Sequence, residues 1–232
     1  MVDGPSDVRT SDGDRDAEAD AATRRRLLAL TAVAALAVLG GLAAPLWSGK
    51  VFVVDDLGAF HLPLRRFYAR ALAAGESFLW MPDVLCGFYL HGEGQVGAFH
   101  PLHLLLYRTL SLPLAFHLEL VLSYPFALLG LFVFLRRWGL SRSVALVGGA
   151  VFAFSGFNML HHMHLNAVAV TAHVPWQLAA VDLALRGRTR RRRAVGWLGV
   201  GLLTGSQLLL GYPQYVWLSS LAEAGYAALL LA

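Results

Sequence analysis

The amino-acid sequence predicts an all-α protein that crosses a membrane several times. Three observations predict it. The 232 residues are 57% hydrophobic and only 15% charged, where soluble domains average roughly 45–50% and about 25%. Mean hydropathy is +0.56. The apolar residues also gather in uninterrupted stretches of span length. A chain of this composition has too little polar surface to cover a core in water, which excludes a soluble enzyme and a disordered regulator. Cys86 is the sole cysteine, so an internal disulfide and a thiolate metal cluster are excluded as well.

Residues 1–26 hold seven acids and five arginines and few apolar side chains. They predict a disordered cytoplasmic tail. After Arg24, Arg25 and Arg26 the chain runs from Leu27 to Trp47, 21 residues, without a charge. That is enough to cross a hydrocarbon layer of about 30 Å as a helix. A cleaved signal peptide is the rival reading, with Ala43-Ala44 as the cleavage neighbourhood. The run exceeds the usual h-region of about 7–15 residues and follows an acidic tail, which favours an uncleaved span. Further spans are predicted at 113–135, 143–160, 167–185, 195–211 and 215–232, making a transmembrane domain over 27–232 with six spans.

Arginines set the orientation. Arg136, Arg137 and Arg142 fall in one short loop, and Arg186, Arg188 and the run Arg190–Arg193 in another. With the N-terminus in the cytoplasm both loops are cytoplasmic. Of the 19 Lys and Arg residues, 14 then lie inside: five in the tail, three in the first loop and six in the second. The pI of about 9.6 is therefore an orientation signal of a multi-pass cell-membrane protein, and no nucleic-acid partner is expected. The run Arg190–Arg193 is read as that signal or as a contact with lipid headgroups. All nine histidines fall in the outer loops or the outer halves of spans. Imidazole does not direct topology, so this asymmetry points to chemistry on the outer face; chance clustering in polar loops is the competing reading.

The first outer loop, 48–112, opens with Asp55-Asp56. Leu57, Phe60, Leu64, Phe67, Tyr68, Ala71 and Leu72 then share one arc of a helix, with Arg65, Arg66 and Arg70 largely opposite. This spacing predicts an amphipathic helix in the membrane interface, its arginines toward headgroups or phosphates. Pro63 suits its first turn and Gly75 its end. Trp80 suits an interfacial anchor. The run Gly92-Glu93-Gly94-Gln95-Val96-Gly97 matches the dinucleotide-binding GxGxxG pattern, but it lies in a loop between membrane spans, on the side away from cytosolic nucleotides, and Pro101 follows it. It is read as flexible loop glycine, not as a nucleotide site.

Asp56-Leu57-Gly58-Ala59-Phe60-His61-Leu62-Pro63-Leu64-Arg65 resembles the first-loop pattern of the YfhO-like bacterial membrane proteins, grouped with the GT-C glycosyltransferases. The resemblance continues through Gly75-Glu76, Trp80, Pro82, Gly87, Glu93-Gly94-Gln95 and Pro101. It resumes at Phe154-Ser155-Gly156-Phe157, His162, His164, Asn166 and Pro175-Trp176, and ends at Gly211-Tyr212-Pro213-Gln214. Trp80-Met81-Pro82 and Cys86-Gly87 depart from the usual Trp-Asn-Pro and Gly-Gly. The resemblance implies a GT-C-like fold and transfer of a sugar from a polyprenyl-phosphate donor to a cell-envelope acceptor outside the cytoplasm, with membrane lipids as further partners. It also implies that the chain is truncated at its C-terminus.

By position, the resemblance carries the catalytic base over to Asp56, with Asp55 as its neighbour. A carboxylate within hydrogen-bond reach can take the acceptor's proton, while cations hold the departing phosphate. A helix cap or turn pair is the alternative for the two aspartates. Arg65 and Arg66 are the expected phosphate ligands, and a solvated helix face is their alternative. His61, Glu93, Gln95, His162 and His164 complete the expected binding set. No cofactor and no metal site is expected; a divalent ion held by His161, His162 or His164 with a carboxylate is the alternative to hydrogen bonding with phosphate or sugar. Three acids fall within spans. Asp182 can pair with Arg186 at i,i+4, while Glu119 and Glu223 should face a cavity or a partner. Two other functions compete: a transporter or flippase of lipid-linked intermediates, and a non-catalytic membrane scaffold.

Overall fold

A computed structural model describes residues 8–232, with side chains from Ala17 onward. The protein is all-α apart from one two-stranded ribbon. Helix α1 runs from Val8 to Trp47. The sequence predicts a disordered tail over 1–26; its described part, 8–26, is helical, while 1–7 lie outside the described residues. Alanines on both sides of Asp20 favour helix, the Asp20–Arg24 pair spans i,i+4 at 2.6 Å, and the apolar span supplies the nucleus from which the helix extends.

The outer loop folds as a small layer of its own. A π-turn at Leu57–His61 leads into α2, Leu62–Ala74. Pro63 sits in the first turn, and Gly75 ends the helix in the left-handed region at φ 68°. The Glu76 N–H reaches back to the Ala71 carbonyl at 2.9 Å, as a glycine C-cap requires. An antiparallel ribbon that periodicity did not predict follows: β1, Trp80–Met81, pairs with β2, Phe88–Tyr89. Next come α3, Pro101–Thr109, and α4, Leu112–Val121. The apolar arc of α2 was expected to lie on lipid. Instead Leu64 and Tyr68 pack with Met81, Val96, Leu106, Tyr107 and Ala115, and the Tyr68 hydroxyl donates to the Ala98 carbonyl at 2.7 Å.

The remaining helices are α5 (Ser123–Arg137), α6 (Arg142–Ala153), α7 (Gly156–Leu160), α8 (Leu165–Arg186), α9 (Arg190–Leu210) and α10 (Pro213–Leu231). Helices α4 and α5 form one kinked rod. Pro125 has no N–H to offer the Val121 carbonyl, and the bend falls at Leu122. Four segments are long and apolar enough to cross a bilayer: Ala17–Trp47, Leu112–Arg137, Arg142–Met163 and Leu165–Arg186. Helices α9 and α10 fall where the fifth and sixth spans are predicted but carry more polar side chains, among them Thr204, Gln207 and Glu223. On α1 the exposed side chains include Leu30, Val33 and Leu36, a surface suited to hydrocarbon and costly in water.

Charges sort to the two ends of the bundle. At one end Arg137 and Arg186 both bind Asp182, the latter at 3.1 Å as the i,i+4 spacing predicts. There the Tyr226 hydroxyl donates to Asp182 at 2.9 Å, and the Ser143 hydroxyl donates to the Arg24 carbonyl. At the other end lie the C-terminus of α1, the N-termini of α4 and α8, the α9–α10 turn and the outer-loop layer.

Candidate functional site

Asp56 stands at the entry to the π-turn. Its side chain makes no capping hydrogen bond, so the cap alternative is not realised. The carboxylate is half-exposed and faces His164, with Oδ2 3.6 Å from Nε2. Leu57, one residue on, is fully buried against Phe116, Leu120 and Leu165, which anchors the turn between α4 and α8. Asp55 is exposed with φ 50°, and its backbone carbonyl receives the N–H groups of Gly58 and Ala59. Beside this turn runs a groove of about 660 Å³ lined by Val51, Gly58, Leu62, Pro63, Arg66, Arg70, Met81, Asp83, Leu112 and Pro113. Arg66 and Arg70 are both exposed, and Arg70 lies 3.8 Å from Asp83.

Arg65 is placed differently from its neighbours. Expected opposite the apolar arc, it is wholly buried. Its Nε donates to Glu119 Oε2 at 2.9 Å and its Nη2 to Oε1 at 2.5 Å. The Tyr107 hydroxyl donates to the same carboxylate at 2.5 Å, and His103 Nε2 lies 3.3 Å from it. Burial opposes the guanidinium charge, but Glu119 more than offsets this and holds the Arg65 pKa above its ordinary value. The π-turn shifts the phase of the following helix by part of a residue, which periodicity at a constant angle per residue does not register. Arg65 is therefore spent on fixing α2 to α4, not on a phosphate.

The other expected ligands divide into two groups. His61 is buried; burial and the Arg65 charge push its pKa down to about 4, so it is neutral. His162 is tied through Nδ1 to the Tyr124 hydroxyl at 2.8 Å and meets Phe52 edge-on. Glu93 and Gln95 bind each other: the carboxylate accepts the Gln95 N–H at 2.7 Å and its side-chain amide at 3.3 Å. Burial lifts the Glu93 carboxyl above its ordinary range against those bonds. The Gln95 carbonyl in turn accepts from Asn166 Nδ2, which also reaches the Leu210 carbonyl, each at 2.5 Å. The Tyr212 N–H closes the clasp on the Gly94 carbonyl at 3.2 Å. Thus Glu93, Gln95, Asn166 and Tyr212 pin the outer loop to α8 and the α9–α10 turn.

The glycine run belongs to the same clasp. Gly97 has φ +60°, and a Cβ there would lie 2.6 Å from the His103 ring, whose Nδ1 is 3.0 Å from the Gly97 carbonyl. A left-handed backbone at Gly94 and Gly97, with close approach of the His103 ring at Gly97, accounts for two of the three glycines. Among the described residues, no three His, Cys, Asp or Glu side chains converge as metal ligands; His161 Nδ1 is engaged by the Phe157 carbonyl at 2.9 Å.

Sequence reasoning missed a neutral polar seam inside the helices. Gln177 donates to Thr204 at 2.9 Å, Gln207 donates to the Val170 carbonyl and the Ser219 hydroxyl, and Ser206 Oγ lies 2.9 Å from both His100 Nε2 and His173 Nε2. The signal was available: uncharged polar residues in apolar stretches also need partners. No family model matches the chain, and no curated protein or solved structure matches it at significant similarity.

Proposed function

We propose that this chain is a YfhO-like, GT-C-type membrane glycosyltransferase that moves a sugar from a polyprenyl-phosphate donor to an extracytoplasmic cell-envelope hydroxyl. One observation carries the reading: an uncapped Asp56 faces His164 beside a groove bearing Arg66 and Arg70. The Asp56 carboxylate takes the acceptor's O–H proton as the acceptor oxygen bonds to the anomeric carbon. The bond from that carbon to the phosphate oxygen breaks with inversion, and polyprenyl phosphate departs. Arg66 and Arg70 balance the charge it gathers, and His164 orients the carboxylate. Helices α9 and α10 serve as fifth and sixth spans, and the arginine-rich end faces the cytoplasm.

Transport of lipid-linked intermediates is the second reading. It is favoured by the interruptions at Leu122 and at Phe154–Ser155, because transporters build sites from broken helices. Reconstitution in proteoliposomes with a radiolabelled polyprenyl-phosphate sugar separates the two. Label recovered on a water-exposed acceptor supports transfer. Label that crosses the bilayer still attached to its lipid supports transport, and no movement of either kind leaves the scaffold.

A further inference from the structure

A second cavity, of about 450 Å³, lies beside the helix break at Leu122, away from Asp56. Its walls include Leu102, Leu122, Phe126 and Leu129, on the flank of a segment apolar enough to cross a bilayer. Its floor is polar and mostly buried: Glu119, His100 and His173 are each more than nine-tenths buried, and Ser206 joins them.

Hydrogen-bond directions on this floor are determined. His173 Nδ1 lies 2.8 Å from the Ala169 carbonyl, so it carries the proton and Nε2 is an acceptor. Ser206 therefore spends its only proton on His173. His100 must then donate its Nε2 proton to Ser206 Oγ, and its Nδ1 keeps a lone pair with no partner among the described residues. Burial, with His103 and His173 nearby, pushes the His100 pKa down to about 4, so it adds no charge. What the floor still offers a guest is the second lone pair of Ser206 Oγ and the Nδ1 lone pair of His100, together with the Ser123 hydroxyl, which lines the same cavity and has no hydrogen-bond partner among the described residues. The Glu119 carboxylate, paired with Arg65, borders the space, and no Lys or Arg lines it to hold an anion.

We propose that this cavity binds a neutral, hydroxyl-bearing bilayer lipid of the diacylglycerol class. The lipid hydroxyl donates to Ser206 Oγ, and the start of an acyl chain lies along Leu122, Phe126 and Leu129. A phosphate-bearing lipid is excluded because no Lys or Arg is among the residues that line the cavity, so its charge would be buried without a counter-ion. This site is separate from the Asp56 groove and does not depend on sugar transfer.

A photoactivatable diacylglycerol, crosslinked to the full chain in nanodiscs and mapped by mass spectrometry, tests it. Labelled peptides from α5 and α9, competed by dioleoylglycerol but not by dioleoyl phosphatidic acid, are the expected result. Ser206→Ala should lower labelling about fivefold, the worth of one neutral hydrogen bond. Leu129→Trp, at an exposed wall position that tolerates bulk, should abolish it, while Ser220→Ala, outside the cavity, should not change it. Equal competition by phosphatidic acid, or labelling confined to other helices, overturns the proposal. The competition uses wild-type protein and decides the matter even where a variant fails to fold.

Discussion

Arg65 shows how one residue can belong to the right element and still face the wrong way. Its type suggested phosphate, yet its wholly buried guanidinium is matched to Glu119, which the sequence could place only as an acid needing a partner. A charge pair 54 residues apart cannot be inferred from local spacing. The pair should dominate local stability, because removing one partner strands the other in a medium that solvates it poorly. Glu119→Gln is expected to destabilise the folded protein by about 3–5 kcal/mol, read as a lower thermal midpoint in detergent. Arg65→Lys should recover little of the loss, since an ammonium cannot make the bidentate contact. The buried neutral histidines add a pH dependence. Folded His61 and His100 titrate at about 4 against an ordinary 6.5, so between those values the unfolded chain binds more protons. Stability is therefore complete above about pH 6.5 and falls as the pH drops toward 4. A thermal midpoint flat across that window would contradict their burial.

At the scale of elements, four apolar segments of span length, the Pro63 start and the Gly75 stop of α2 followed from residue type, because apolar length, a missing N–H and a left-handed cap are local properties. The clasp between the outer loop and the α9–α10 turn did not, because its bonds join backbone groups far apart in the chain. Gly94 and Gly211 stood out only as members of patterns; the structure gives the reason. Gly211 adopts φ 88°, ψ −161°, a region open essentially to glycine, and a Cβ there would lie 1.3 Å from the Gly94 carbonyl oxygen. Gly211→Ala should cost at least about 1–3 kcal/mol in backbone strain alone. Hydrogen exchange should show the Tyr212 amide losing protection along with the Asn166 side-chain contacts. Protection equal to wild type would mean that the clasp is not what holds this turn. The α4–α5 break was likewise encoded by Pro125, but the cavity beside it depends on what α8 and α9 place opposite.

For the whole molecule, composition alone predicted a helical membrane protein, and the structure agrees in four apolar segments of span length. Cys86 offers a direct reading of orientation, being exposed and the sole cysteine. A membrane-impermeant maleimide added to intact cells should label it. A cysteine introduced at Arg191 should react only after permeabilisation, and the reverse pattern would turn the proposed topology over. What composition could not supply was the arrangement at the outer end, where the Asp56–His164 pair stands beside the groove that bears Arg66 and Arg70. That arrangement is the core of the account. Its most direct test is the rate of sugar transfer from a radiolabelled polyprenyl-phosphate donor by Asp56→Asn protein in proteoliposomes. Loss of a general base predicts a fall of about 10²-fold or more, with the thermal midpoint unchanged because Asp56 caps nothing. Transfer at the wild-type rate would contradict the assignment of Asp56 as the base.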